Sequence, residues 1–204
     1  VIVLHGRDAT PDDIQIVDML RRRLPERGWA SLSLTLPEPQ DNQPLAQAVA
    51  RTQAGVEHLK GKKARSVVLI GHDSGARALV GYLLNQPDPA IRAVVVVDPQ
   101  RVPGPENGGT AMEQVEQLRL PLLDLRTGRD SSSAADDARS WRAAFRNNPG
   151  YRQLILNDPH PLWDDLEDFV VNRIHGWLAR QQGPAQAPAS AAKPKPPGAA
   201  GGPL

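Results

Sequence analysis

The run Val67-Val68-Leu69-Ile70-Gly71-His72-Asp73-Ser74-Gly75-Ala76 constrains this chain more than any other stretch. Its aliphatic start suits a strand covered on both faces, and the Gly-x-x-x-Gly spacing lets the backbone reverse sharply without a Cβ clash. A helix follows. Ala76, Leu79, Val80, Leu83 and Leu84 recur at helical spacing until Pro87 and Pro89 close the segment. In a strand-to-helix turn of this kind the middle residue stands above the sheet, with the next residue's N–H beside it. Here the middle residue is Asp73. Placing Ser74 there instead would put His72 and Ala76 at the positions where the turn needs glycine.

The rest of the chain alternates in the same way. Val1 to Leu4 is a short buried strand ending in His5-Gly6, and Thr10-Pro11-Asp12-Asp13 is a helix start before Ile14, Val17, Leu20 and Leu24. Trp29 to Leu36 alternates as a strand does, Pro44 to Leu59 as a helix, and Ala93 to Val97 is the most strand-like run, ending in Asp98-Pro99. Val102 to Thr110 is loop, rich in glycine and proline, and Met112, Val115 and Leu118 give a short helix. Pro121 to Leu125 is a strand opening into Thr127-Gly128-Arg129-Asp130. Trp141 and Phe145 anchor another helix, Gln153 to Leu156 is the last strand, and Leu166 to Leu178 is an amphipathic terminal helix. Six strands alternating with helices predict an α/β fold, a doubly wound and mostly parallel sheet with helices on both faces. Ligands of such sheets bind beyond the carboxyl ends of the strands, where His5, Asp73, Asp98, Asp130 and His160 all fall.

Composition narrows the function classes. A chain of 204 residues with 40% hydrophobic content suits one packed domain, expected over 1–182. The net charge of +1 is spread, and Arg21-Arg22-Arg23 reads as the solvated face of a helix rather than a nucleic-acid patch. There is no cysteine, hence no disulfide and no thiolate metal site, a pattern compatible with the cytoplasm or an exported compartment. Localisation stays open. No apolar run is long enough to span a membrane, and with Val1 already inside a strand the chain reads as a fragment with leading strands missing. No cofactor is implied, because no glycine-rich phosphate fingerprint follows the first strand and the histidines lack metal-ligand spacing. From Gly183 to Leu204 the composition collapses to proline, alanine, glycine and lysine, which predicts a disordered tail, with Ala192 to Pro197 as a candidate protein-docking sequence.

His5-Gly6, the turn Gly71 to Gly75, Asp130 after a later strand and His160 after the last one together resemble the α/β-hydrolase superfamily, in which the order is nucleophile, acid, histidine. The resemblance covers Val1 to about Ala179. Within the superfamily the chain looks most like an uncharacterised bacterial branch, a domain of unknown function, through Leu24 to Trp29 and Tyr151 to Leu178. It implies a hydrolase without a cap domain, whose turn is a nucleophile elbow. Asp73 would attack a carbon electrophile, His160 would activate the water that cleaves the resulting ester, and Asp130 would hold the imidazole. The N–H groups of Ser74 and Arg7 would form the oxyanion hole. The substrate would be a small ester, thioester, lactone or other carbon electrophile in the strand-end cleft.

Each residue also has a plainer role open to it. Asp73 could be a hydrogen-bonded turn carboxylate, His160 a helix cap, Asp130 a turn former, and Asp98 or Asp124 the acid in its place. His72 reads as a packing residue, His58 and His175 as surface positions. Epoxide hydrolases need cap tyrosines and haloalkane dehalogenases a tryptophan after the nucleophile; here the segment from Asp98 to Leu120 has no tyrosine, and Ser74 follows Asp73. The alternative to an enzyme is a hydrolase-fold binding protein that holds a ligand or partner in the same cleft without turnover.

Overall fold

The computed structural model describes residues 1–6, 10, 16–37, 44–85, 88–100, 118–126, 132–156 and 163–181. Six strands, β1 (Ile2–Leu4), β2 (Leu32–Leu34), β3 (Val67–His72), β4 (Ile91–Val97), β5 (Leu122–Arg126) and β6 (Tyr151–Ile155), form one sheet in the order β2-β1-β3-β4-β5-β6. All neighbours pair parallel. Among the described residues, five α-helices connect or flank them: α1 (Val17–Arg23), α2 (Pro44–Gly61), α3 (Ser74–Asn85), α4 (Ser132–Ala144) and α5 (Trp163–Gln181).

The strand sequences explain the layers. Successive side chains of a strand point to opposite faces, so an aliphatic run feeds two cores at once. Val68, Ile70, Val95 and Val97 join Val17, Leu20, Val170, Ile174 and Leu178 on the face covered by α1 and α5. Val67, Leu69, Val94 and Val96 join Val56, Leu79, Leu83, Trp141 and Phe145 on the face covered by α2, α3 and α4. Val94 to Val97 are all fully buried, and at about 1.5–3 kcal/mol for each such side chain β4 is the chief anchor of both cores. On the second face Trp141, Phe145 and Tyr151 stack in series, with ring centroids 5.4 Å apart at each step. The parallel doubly wound sheet expected from the alternation is present.

The boundaries differ from the pattern at the rims. Only Leu32–Leu34 of the Trp29 to Leu36 run pairs, because β2 is an edge strand with β1 as its single neighbour. β6 begins at Tyr151, two residues before the expected Gln153 to Leu156 run, and ends one residue before it at Ile155, and α5 extends beyond its apolar stretch at both ends. The expected helix start at Pro11 to Asp13, most of the expected short helix from Met112 to Leu118, and the tail 183–204 lie outside the described residues. No described helix is long and apolar enough to cross a membrane.

Candidate active site

β3 runs into α3 through a single residue, Asp73, whose φ is +49°. A non-glycine residue in the left-handed region carries a cost of roughly 1–2 kcal/mol, so the surroundings must hold it there. They do so on both sides. The Asp73 N–H donates to the Val97 carbonyl at 3.0 Å, and the Asp73 carbonyl accepts from the Ala76 N–H at 3.2 Å. The two glycines are required by close approach. A Cβ on Gly71 would lie 2.7 Å from the Ala76 backbone, and one on Gly75 would lie 2.5 and 2.6 Å from the carbonyl oxygens of His5 and Leu4. The start of α3 is therefore pressed against the end of β1. Ser74 opens α3, and a first-turn N–H of a helix has no intrahelical acceptor.

The end of β1 forms the opposite wall. A Cβ on Gly6 would stand 2.9 Å from Asp73 Cβ, 3.2 Å from Asp73 Oδ2 and 3.3 Å from His72 Nδ1, so the Asp73 carboxylate occupies the space left by the missing side chain. His5, almost fully buried, accepts from the Leu36 N–H at Nε2 (2.9 Å), and its Nδ1 lies 2.8 Å from the Gly6 carbonyl.

Asp98 sits one strand over. His72 pairs with Val97 in the parallel register, so Asp73 and Asp98 leave adjacent strands side by side, and both are half-buried. Asp98 also has a positive φ, +42°. Its N–H donates to the Leu125 carbonyl at 2.9 Å, and the next two carbonyls are clasped from outside: Arg126 Nη1 donates to Pro99 O at 2.7 Å and Trp141 Nε1 to Gln100 O at 2.6 Å.

Asp124 belongs to a different environment. It is fully buried, and both carboxylate oxygens are engaged: Oδ1 accepts from Arg126 Nε at 2.7 Å, Oδ2 from Tyr151 Oη and Gln153 Nε2, each at 2.7 Å. Burial, then the Asp124 charge, pushes the Tyr151 phenol far above its usual range, so it stays a donor. A carboxylate saturated in this way is a structural group. Tyr151, Gln153 and Arg126 were missed in the sequence, although Asp124/Arg126 and Tyr151/Gln153 each follow strand spacing and so share one face.

Asp73 and Ser74 thus meet with His5 and Gly6 at the strand ends. Arg7, Asp130 and His160 lie outside the described residues. His58 is exposed as expected, but His175 is not a simple surface position: it is half-buried on α5, and its Nδ1 accepts from Trp29 Nε1 at 3.1 Å. Among the described residues no group of three or more His, Cys, Asp or Glu side chains could hold a metal ion.

Solved structures that superpose on this chain include esterases and other α/β-hydrolases. Est1E from Butyrivibrio proteoclasticus superposes with a TM-score of 0.70 at 14% identity over 89% of this chain and 87% of its own. The esterase domain of a Rhodothermus marinus protein gives 0.66 at 18% identity over 88% and 85%, and an esterase from Pyrococcus furiosus 0.66 at 14% identity over 88% and 80%. At these identities the likeness establishes the α/β-hydrolase fold. No curated protein matches the chain in sequence. A family model does match, over residues 1–52 and 41–180, and the chain accordingly belongs to the family described as "Protein of unknown function (DUF3530)".

Proposed function

We propose that the chain is a capless α/β-hydrolase that opens a carbon electrophile, such as a small ester, thioester or lactone, through a covalent intermediate on Asp73. The observation that carries this reading is the left-handed Asp73 itself, held over Gly6 at the start of α3. Strain of this kind persists only where the surroundings enforce it, and it gathers at functional sites. Asp73 forms a C–O bond to the saturated carbon on the oxygen or sulfur side of the ester, thioester or lactone as that carbon's bond to the acyl oxygen or sulfur breaks, and the carboxylate or thiocarboxylate departs with the electron pair, giving an alkyl ester on Asp73. His160 then takes a proton from water, and the hydroxide adds to the Asp73 carboxyl carbon. The N–H groups of Ser74 and Arg7 hold the oxyanion, and Asp130 holds the imidazolium. Collapse expels the alkoxide, which recovers the proton from His160, and the Asp73 carboxyl, now carrying one oxygen from water, loses its remaining proton to solvent to restore the carboxylate.

Trapping tests this directly. A His160→Gln variant incubated with haloacids, epoxides, lactones and activated esters should gain the mass of the transferred group, because the ester on Asp73 is no longer cleaved. The Asp73→Ala, His160→Gln double variant should gain none. An unchanged mass across the panel, or a gain that survives in the double variant, would overturn the reading and favour a protein that binds without turnover.

A further inference from the structure

We propose that the rim where the strands begin, carried by Lys62, Lys63, Arg65 and Arg92, docks the domain on an anionic phospholipid surface. All six strands run parallel, so the connections from α2 to β3 and from α3 to β4 lie together at the end of the sheet opposite Asp73. Lys62, Lys63 and Arg65 occupy the first connection. Arg92 follows Ile91, the partner of Val67, and is the exposed position of an otherwise buried β4. All four side chains are exposed, and none forms an ion pair among the described residues. Their neighbour Lys60 is the contrast: it reaches Glu57 at 2.9 Å and Asp88 at 2.8 Å, and so engages the carboxylates beside it.

A cation near a helix C-terminus offsets the unpaired carbonyls there, which accounts for Lys62 and Lys63 as charges. It does not account for Arg65 and Arg92, which stand at strand starts, nor for the placing of Lys63. The Lys63 N–H donates to the Lys60 carbonyl at 2.8 Å and the Ala64 N–H to the Leu59 carbonyl at 3.0 Å, the double closure of a helix whose turning residue is left-handed. Lys63 is that residue, with φ +65°. Glycine is favoured at such a turn, yet the glycine stands two places earlier, at Gly61, where an added Cβ would meet nothing within 4 Å. The chain keeps a lysine on strained backbone and a glycine where none is needed, the pattern of a position held for its side chain.

Charge of one sign spread over a rim fits a lipid surface better than a nucleic acid. Segments 62–66 and 88–92 hold no aromatic residue on which an unpaired base could stack, and the helices meet the rim end-on, presenting no face to a duplex groove. The exposed large hydrophobics among the described residues, Ile155 and Phe169, lie at the end of β6 and in the first half of α5, away from the rim. Attachment therefore rests on charge and weakens with salt. The chain's net charge is only +1, so the attraction depends on where the charges sit. Docked in this way, the domain turns Asp73 toward water.

Co-sedimentation of the full chain with vesicles tests the docking. Binding is expected to mixed phosphatidylcholine and phosphatidylglycerol vesicles at low salt, with release at high salt and no binding to phosphatidylcholine alone. The Arg65→Gln, Arg92→Gln variant should bind about 25-fold more weakly, about 5-fold for each charge. The Arg139→Gln, Arg173→Gln variant removes the same charge from α4 and α5 and should bind as the native chain does. Lys63→Gly should bind about 5-fold more weakly while its unfolding midpoint rises. Absent binding to the mixed vesicles, equal binding to both vesicle types, equal weakening in the two double variants, or undiminished binding by Lys63→Gly would each overturn the proposal. So would a DNA fragment, duplex or single-stranded, that binds more tightly than the mixed vesicles and is lost with the same two arginines, which would assign the rim to nucleic acid. None of these outcomes depends on the chemistry at Asp73.

Discussion

Two carboxylates of one sheet, one inside a strand and one at a strand end, meet opposite fates. Asp124 on β5 is fully enclosed, with Arg126, Tyr151 and Gln153 turned toward it and its backbone in an ordinary strand. Asp73 at the end of β3 is half-buried on a left-handed backbone, squeezed between α3 and the end of β1. One is a side chain for which the fold was shaped; the other is a backbone position that the fold distorts. The difference separates a charge kept for stability from one kept for presentation, and it is a difference that substitution can measure.

The largest effect should come from Asp124→Ala. It leaves the Arg126 guanidinium buried without its carboxylate and strips an acceptor from Tyr151 and Gln153, so a loss of about 3–5 kcal/mol is expected in denaturant unfolding. A loss below 1 kcal/mol would mean that the network is dispensable and the contrast empty. Next is Gly75→Ala, where the new Cβ meets two backbone oxygens that cannot swing away. Overpacking of that sort costs about 1–3 kcal/mol, read from the same unfolding curves. It should also displace the start of α3, abolishing adduct formation in the trapping assay. The smallest effect has the opposite sign. Asp73→Gly removes the penalty at φ +49° and should raise stability by up to about 1 kcal/mol, while abolishing any covalent adduct. If it lowers stability instead, Asp73 is a structural carboxylate like Asp124.

The centre of the sheet was legible in the sequence because burial on both faces demands unbroken aliphatic runs, as in Val67 to Ile70 and Ala93 to Val97. The turn at Asp73 was legible for a sharper reason, since backbone contact at Gly71 and Gly75 leaves no room for any other residue. The rim was harder. β2 pairs over three residues only, and nothing in Trp29 to Leu36 marks where a strand with one neighbour stops pairing. The polar network was hidden because Asp124 and Arg126 interrupt an apolar strand, and their partners arrive from β6. His5 read as one more strand-end histidine; its meaning depends on Leu36, which approaches from a different strand. Arg7, Asp130 and His160, the remaining members of the proposed site, rest on the order of strands and acids along the chain.

The left-handed backbone at position 73 also has an evolutionary side. Asparagine and glycine, like aspartate, settle readily at positive φ, and both lie one base change from aspartate codons and one from a set of serine codons. A lineage could therefore exchange the reactive group at this turn by steps that never require the backbone to refold. The turn behaves as a socket: its geometry is held by Gly71, Gly75 and the end of β1, and the chemistry mounted in it is replaceable.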